Sequence, residues 1–132
     1  MARLAKLARM GKQHSIRQGA QGPRERWSLD AGSGDVARLD IPADAQRERH
    51  FEIDSRFVVR RRADADEAWL ELRVSVDGAL RWSRRVDSAE GSDSLDYRFS
   101  VRLPAGRPLR LLATTVVQGV QRVSLVLEAW EE

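Results

Sequence analysis

The sequence predicts an all-β protein: one antiparallel β-sandwich of about eight strands, of jelly-roll or immunoglobulin-like topology, behind a flexible basic N-terminal tail. Three observations lead there. Between Leu95 and Leu103, the apolar residues Leu95, Tyr97, Phe99, Val101 and Leu103 alternate with Asp96, Arg98, Ser100 and Arg102, a period of two that a strand buried on one face requires. The same alternation recurs along the chain from Trp27 onward, with no helical periodicity between the runs. Turn formers punctuate it: Gly32 with Gly34, Pro42, Asp77-Gly78, Gly91, Pro104 with Gly106 and Pro108, and Gly119.

Residues 1–24 hold no alternating run and read as a tail and linker, leaving residues 25–132 as a single sandwich domain. Leu4, Leu7, Ala8 and Met10 gather on one side of a helical wheel, yet so short a segment does not hold an isolated helix. The tail carries Arg3, Lys6, Arg9, Lys12, Arg17 and Arg24 and no acid, so all 20 acidic residues fall in the domain. Its basic residues interrupt every apolar run that a signal peptide needs, so the expected compartment is the cytoplasm. No apolar run approaches the length of a transmembrane segment.

Eight strands are expected at 26–31, 36–42, 50–60, 68–77, 80–87, 95–103, 109–117 and 120–130. Trp27 and Leu29 share an inward row, and Trp69 and Trp130 fall on outward rows. Around Asp77-Gly78 the inward rows are Leu70, Leu72, Val74 and Val76 on one strand and Leu80, Trp82 and Val86 on the next. A two-residue turn would oppose the wrong faces. A three-residue loop of Asp77, Gly78 and Ala79 is therefore expected, pairing Val76 with Leu80, Val74 with Trp82, Leu70 with Val86 and Glu71 with Arg85, with positive φ at Gly78 or a neighbour. Arg84 lands on the inward row, so the strand is expected to bulge or leave the sheet there. The expected core is Phe51, Ile53, Phe57, Val59, Leu70, Leu72, Val74, Val76, Trp82, Tyr97, Phe99, Val101, Leu111, Val123, Leu125 and Leu127.

The chemistry is mostly one of exclusions. The chain has no cysteine and two histidines, His14 and His50, which removes disulfides, thiolate nucleophiles and cysteine metal sites and leaves one histidine in the folded domain. No Gly-x-Ser-x-Gly elbow and no phosphate-cradling glycine loop appears. Glu48, His50, Glu52 and Asp54 alternate on one strand face, where a divalent metal or a solvated strand face is the choice, and the solvated face is the ordinary one. Asp64, Asp66 and Glu67 in one loop, with Glu90, Asp93 and Asp96 in or beside another, form the candidate calcium ligands. Arg60, Arg61, Arg62, Arg84 and Arg85 approach the same end and are expected to neutralise them.

The remaining candidates are binding residues. Trp69, Trp130, Arg60, Arg62 and Arg85 are candidate ligand contacts, since an exposed tryptophan stacks on a sugar ring or fills a partner's pocket. Arg3, Lys6, Arg9 and Lys12 are candidate anion contacts, but the tail lacks aromatic residues for base stacking, so specific nucleic-acid recognition is not expected. The expected function is a non-catalytic interaction module that engages a protein partner through loops or an exposed strand edge and needs no cofactor. The alternatives are a carbohydrate- or calcium-binding module and a hydrolase using His50.

Overall fold

The computed structural model describes residues 24–89 and 91–132. The tail candidates Arg3, Lys6, Arg9 and Lys12, and the loop acid Glu90, therefore lie outside the described residues. The strands are β1 (Arg26–Asp30), β2 (Val36–Ile41), β3 (Arg49–Arg61), β4 (Trp69–Val76), β5 (Ala79–Asp87), β6 (Ser92–Leu103), β7 (Leu109–Gln118) and β8 (Val120–Glu131). No helix among the described residues is long and apolar enough to cross a membrane.

The pairing resolves the topology. β4 pairs with β5, β3 with β6, β2 with β7 and β1 with β8, all antiparallel. The chain is thus one long hairpin whose tip is Asp77-Gly78, folded over so that β3 also pairs with β8 and β4 with β7. Two four-stranded sheets result, ordered β1-β8-β3-β6 and β2-β7-β4-β5. This is the jelly roll of the two expected topologies, not the immunoglobulin-like one.

The hairpin tip differs from expectation in an informative way. Asp77 and Gly78 have φ values of 50° and 86°, and Val76 pairs directly with Ala79, a two-residue turn whose mirror-image twist matches that of the flanking strands. The face conflict is resolved one step further along: Ser75 pairs with Leu80 and Val74 with Trp82, leaving Arg81 as an extra, bulged residue. From Trp82 on, the expected pairs hold, including Leu70 with Val86 and Glu71 with Arg85. The bulge expected at Arg84 is therefore at Arg81, and Arg84 stays in the ladder opposite Leu72, exposed.

The core lies between the sheets. Phe51, Ile53, Phe57, Val59, Leu70, Leu72, Val74, Leu111, Leu125 and Leu127 are fully buried as expected, each such side chain contributing about 1.5–3 kcal/mol of transfer free energy. Val123 is the exception, 44% exposed. Val58 pairs with Ser124 and Val59 with Arg122, so Val123 is the extra residue of a second bulge, which turns it off the inward row. Val76, at the end of β4 beside the hairpin tip, is half-buried, and so are the inward Trp82, Tyr97 and Val101 of β5 and β6, these three for a reason that defines the candidate site.

Candidate functional site

β5 and β6 are the last strands of their sheets on the same side of the sandwich. Inward residues on edge strands have cover on one flank only, so Trp82 of β5 and Tyr97 of β6 stay half-exposed, while Phe99, further along the inward row of β6, is 7% exposed and buried. Trp82 of β5 stacks on Tyr97 of β6, with ring centroids 4.5 Å apart and planes 3° from parallel. Tyr97 stacks in turn on Phe99 at 5.0 Å, and the Arg81 guanidinium lies 4.6 Å from the Phe99 ring centroid. The bulge makes this possible: it releases Arg81 from strict alternation, so that two successive residues, Arg81 and Trp82, both reach rings of β6. Stacked rings and a cation over a ring face are mutually stabilising geometries. The result is an aromatic strip closing the open side of the sandwich while keeping a face to solvent.

The outward candidates lie elsewhere. Trp69 is half-buried on the outer face of the β2-β7-β4-β5 sheet, with the Arg85 guanidinium 3.8 Å from its ring centroid. Arg85 and Arg73 both donate to Glu71, at 3.1 and 3.0 Å, holding this nearly buried carboxylate between two guanidinium groups. Trp130 sits on the outer face of the other sheet with Arg98 5.1 Å from its ring centroid. The two tryptophans therefore share no platform.

The β3–β4 and β5–β6 loops do meet at one end, as expected, but the arginines act differently there. Arg61 donates to the carbonyls of Ser88 (2.6 Å) and Ala65 (3.1 Å), tying the loops through their backbones. Arg85 is committed to Glu71 rather than to the loop acids. Arg62 lines a cleft with Arg61, Ala63, Ala65 and Gly91, while Arg60 is exposed opposite Ser92 and Gln121. Asp93 accepts hydrogen bonds from Ser88 Oγ and the Ala89 amide, which caps the loop. Asp64, Asp66, Glu67 and Asp93 belong to no group of three or more acids or histidines placed to hold a metal among the described residues.

The His50 row is a cross-strand ladder. Glu48 lies 3.4 Å from His50 Nε2 and 2.7 Å from Arg102, Glu52 accepts from Ser100 Oγ, and Asp54 lies 3.6 Å from Arg98.

A buried ionic network, which the sequence reading did not single out, stands at the opposite end of the sandwich. Glu25 and Arg49 are each 1% exposed. Arg49 donates to Glu25 Oε1 at 2.7 Å and to the Pro42 carbonyl at 2.8 Å. The Trp27 indole N–H also donates to Glu25, at 3.0 Å, while Arg47 bridges Glu25 and Glu131. These contacts staple β1, the β2–β3 loop, β3 and β8 together. Its members alternate imperfectly and lie far apart in the chain, so no local signal marked them. Burial on its own pushes the Glu131 carboxyl up, but the Arg47 hydrogen bond, the Glu25 amide and the charges of Arg47 and Arg49 outweigh it and hold the group below the usual carboxylate range.

A depressed carboxylate stabilises the fold fully above its unfolded value of about 4.3 and loses that contribution as pH falls through the lower folded value. The melting temperature is therefore expected to fall below about pH 4.3, with Glu131→Gln less stable at neutral pH and less acid-sensitive than wild type. Parallel acid profiles with the same offset at every pH would contradict this.

No family model matches the chain, and no curated protein matches it. Among solved structures it is similar to dimeric latent PorU from Porphyromonas gingivalis, with a TM-score of 0.52 and 13% identity over 78% of this chain and 10% of that one. Others are a 4-O-methyl-α-glucuronidase with specificity for decorated arabinogalactans (TM-score 0.41, 14% identity, 86% of this chain and 15% of that one) and chicken MD-1 complexed with lipid IVa (TM-score 0.30, 13% identity, 83% and 90%). The chain spans about a tenth of the length of PorU. At these identities the likeness to PorU speaks to the fold alone.

Proposed function

We propose that this domain is a non-catalytic binding module that holds a protein partner on the open side of the sandwich, between the edges of β5 and β6. The observation that carries this reading is the strip of half-exposed Trp82 and Tyr97 with exposed Arg81, backed by the buried Phe99 ring on which Tyr97 and Arg81 rest. Amphipathic rings and arginine are the residues that dominate binding energy at protein interfaces. Here they are held rigid by mutual stacking, so little side-chain entropy is lost when a partner covers them. Trp69 and Trp130, the outward tryptophans, give the carbohydrate reading less support because each carries an arginine over its ring. The ladder of partners around His50 gives the hydrolase reading none.

Site-specific photo-crosslinking in cells that express the protein tests the proposal. Trp82→p-benzoylphenylalanine is expected to capture a discrete protein, whereas Arg38→p-benzoylphenylalanine, on the outer face of the other edge, captures none. Equal capture from both positions, or from Arg38 alone, would move the binding surface elsewhere.

A further inference from the structure

We infer that the partner contributes an extended, acidic segment that adds as a strand to the free edge of β6, with its carboxylates on Arg81 and Arg84. This rests on the proposed binding site and specifies its ligand.

The two edges flanking the strip differ. β5 is blunted in the ways edge strands ordinarily are, by the bulge at Arg81 and by the charges of Arg81, Arg84 and Arg85. β6 is not. It runs from Ser92 to Leu103, contains no proline or glycine, and keeps unbroken register with β3 along its length. Its other side is the edge of the β1-β8-β3-β6 sheet and presents a row of backbone donors and acceptors. An extended peptide satisfies such a row by strand addition, where main-chain hydrogen bonds supply affinity and alternate side chains supply specificity.

A strand laid beside β6 continues the alternation of the sheet. Its inward side chains pass the rims of Tyr97 and Val101, both half-exposed, and enter the side of the sandwich that β5 overhangs. The charge standing there is positive and faces no carboxylate among the described residues. The outward arginines of the neighbouring strands, Arg73, Arg85, Arg98, Arg102 and Arg110, each have a carboxylate oxygen within 3.6 Å. Arg81 and Arg84 have none within 4.0 Å among the described residues, and both are exposed. Arg81 is held over Phe99, while Arg84 occupies an inward position that no opposing strand covers. Guanidinium groups placed where inward side chains of an added strand arrive select carboxylates, because charge-assisted hydrogen bonds between the two are among the strongest available to a peptide. The segment that fits alternates apolar residues with Asp or Glu.

A fluorescein-labelled peptide alternating Glu and Val over about twelve residues, matched to the length of β6, is the probe. It is expected to bind the full chain saturably by fluorescence anisotropy and to slow hydrogen exchange of β6 amides. Raising NaCl from about 50 to about 500 mM should weaken binding, since the Debye length shortens several-fold. Arg81→Ser/Arg84→Ser, whose fold is checked by its melting temperature, is expected to bind at least about tenfold more weakly, the loss of about 1.4 kcal/mol. Equal binding of an alternating Lys and Val peptide would overturn the inference, as would peptide binding without protection of β6. So would binding of polygalacturonate in preference to the peptide. Crosslinking from position 82 that persists when the acidic peptide fails to bind would discard the acidic strand and leave the binding site standing, whereas loss of both would discard the site as well.

Discussion

Arg49→Ala is expected to destabilise the domain by about 3 kcal/mol or more, the range for breaking a buried ion pair from one side. The guanidinium is fully buried and holds three things at once: the Glu25 carboxylate, the Pro42 carbonyl, and the Phe51 ring 5.5 Å away. Removing it leaves Glu25 buried with the Trp27 indole and Arg47 as its remaining partners. Arg47 supplies some compensation, which places the effect toward the lower end of the range. The paired variant Glu25→Gln/Arg49→Met is expected to recover part of the loss, because it removes the uncompensated charge and refills the space. Arg49 is not perfectly accommodated even in the native fold, since its Nε has no hydrogen-bond partner, so the network owes its value to joining four chain segments. Urea denaturation of Arg49→Ala and of the paired variant measures this, provided the slopes with denaturant agree. A single-variant loss under about 0.5 kcal/mol, the ordinary surface range, would contradict the account.

Gly119→Ala is the second large effect. Gly119 joins β7 to β8 with φ +68°, and a Cβ there would lie 2.1 Å from the Glu67 carbonyl oxygen and 3.1 Å from both Ala65 Cβ and Ala68 Cα. Backbone, unlike the tip of a long side chain, has nowhere to move cheaply. The left-handed conformation alone costs roughly 1–2 kcal/mol for a residue with a Cβ. The overlap adds displacement of the β3–β4 loop and strain on the hydrogen bond from the Arg62 amide to the Gly119 carbonyl. A loss of at least about 3 kcal/mol is expected in total. Gly78→Ala is the control: its φ is also positive, at +86°, but nothing lies within 4 Å of the added Cβ, so its cost is confined to the backbone, roughly 1–2 kcal/mol. Equal losses at the two glycines would show that conformation, and not crowding, governs Gly119.

Period-two alternation made the strands and most of the core legible in the sequence, since the pattern and the burial are one physical fact. It failed where a single residue slips out of register. Arg81 and Val123 each interrupt the alternation by one position, and a bulge leaves no compositional mark when neighbouring residues suit either face. The Asp77-Gly78 turn was visible as a turn, but its length was argued from face matching on the premise that no bulge lay nearby, and the Arg81 bulge makes that premise false.

The candidate site was legible only in pieces. Trp82, Tyr97 and Phe99 were correctly placed on inward rows, which argues for burial as long as the strand order is unknown. Phe99 is buried as expected, whereas the partial exposure of Trp82 and Tyr97 follows from β5 and β6 being the two edges on one side, a property of the jelly roll rather than of either strand. The outward tryptophans attracted attention because alternation marks them as exposed, whereas Arg85 and Arg98 sit over their rings. Glu25, Arg47, Arg49 and Glu131 stayed hidden because their meeting depends on the chain ends and the β2–β3 loop converging.

The open edge of β6 is the premise on which both the binding site and its acidic ligand depend, and native-state hydrogen exchange of the free protein reads it directly. Alternate amides from Ser92 to Leu103, those not bonded to β3, are expected to exchange orders of magnitude faster than their neighbours. Uniform protection along the strand would mean that the edge is already covered.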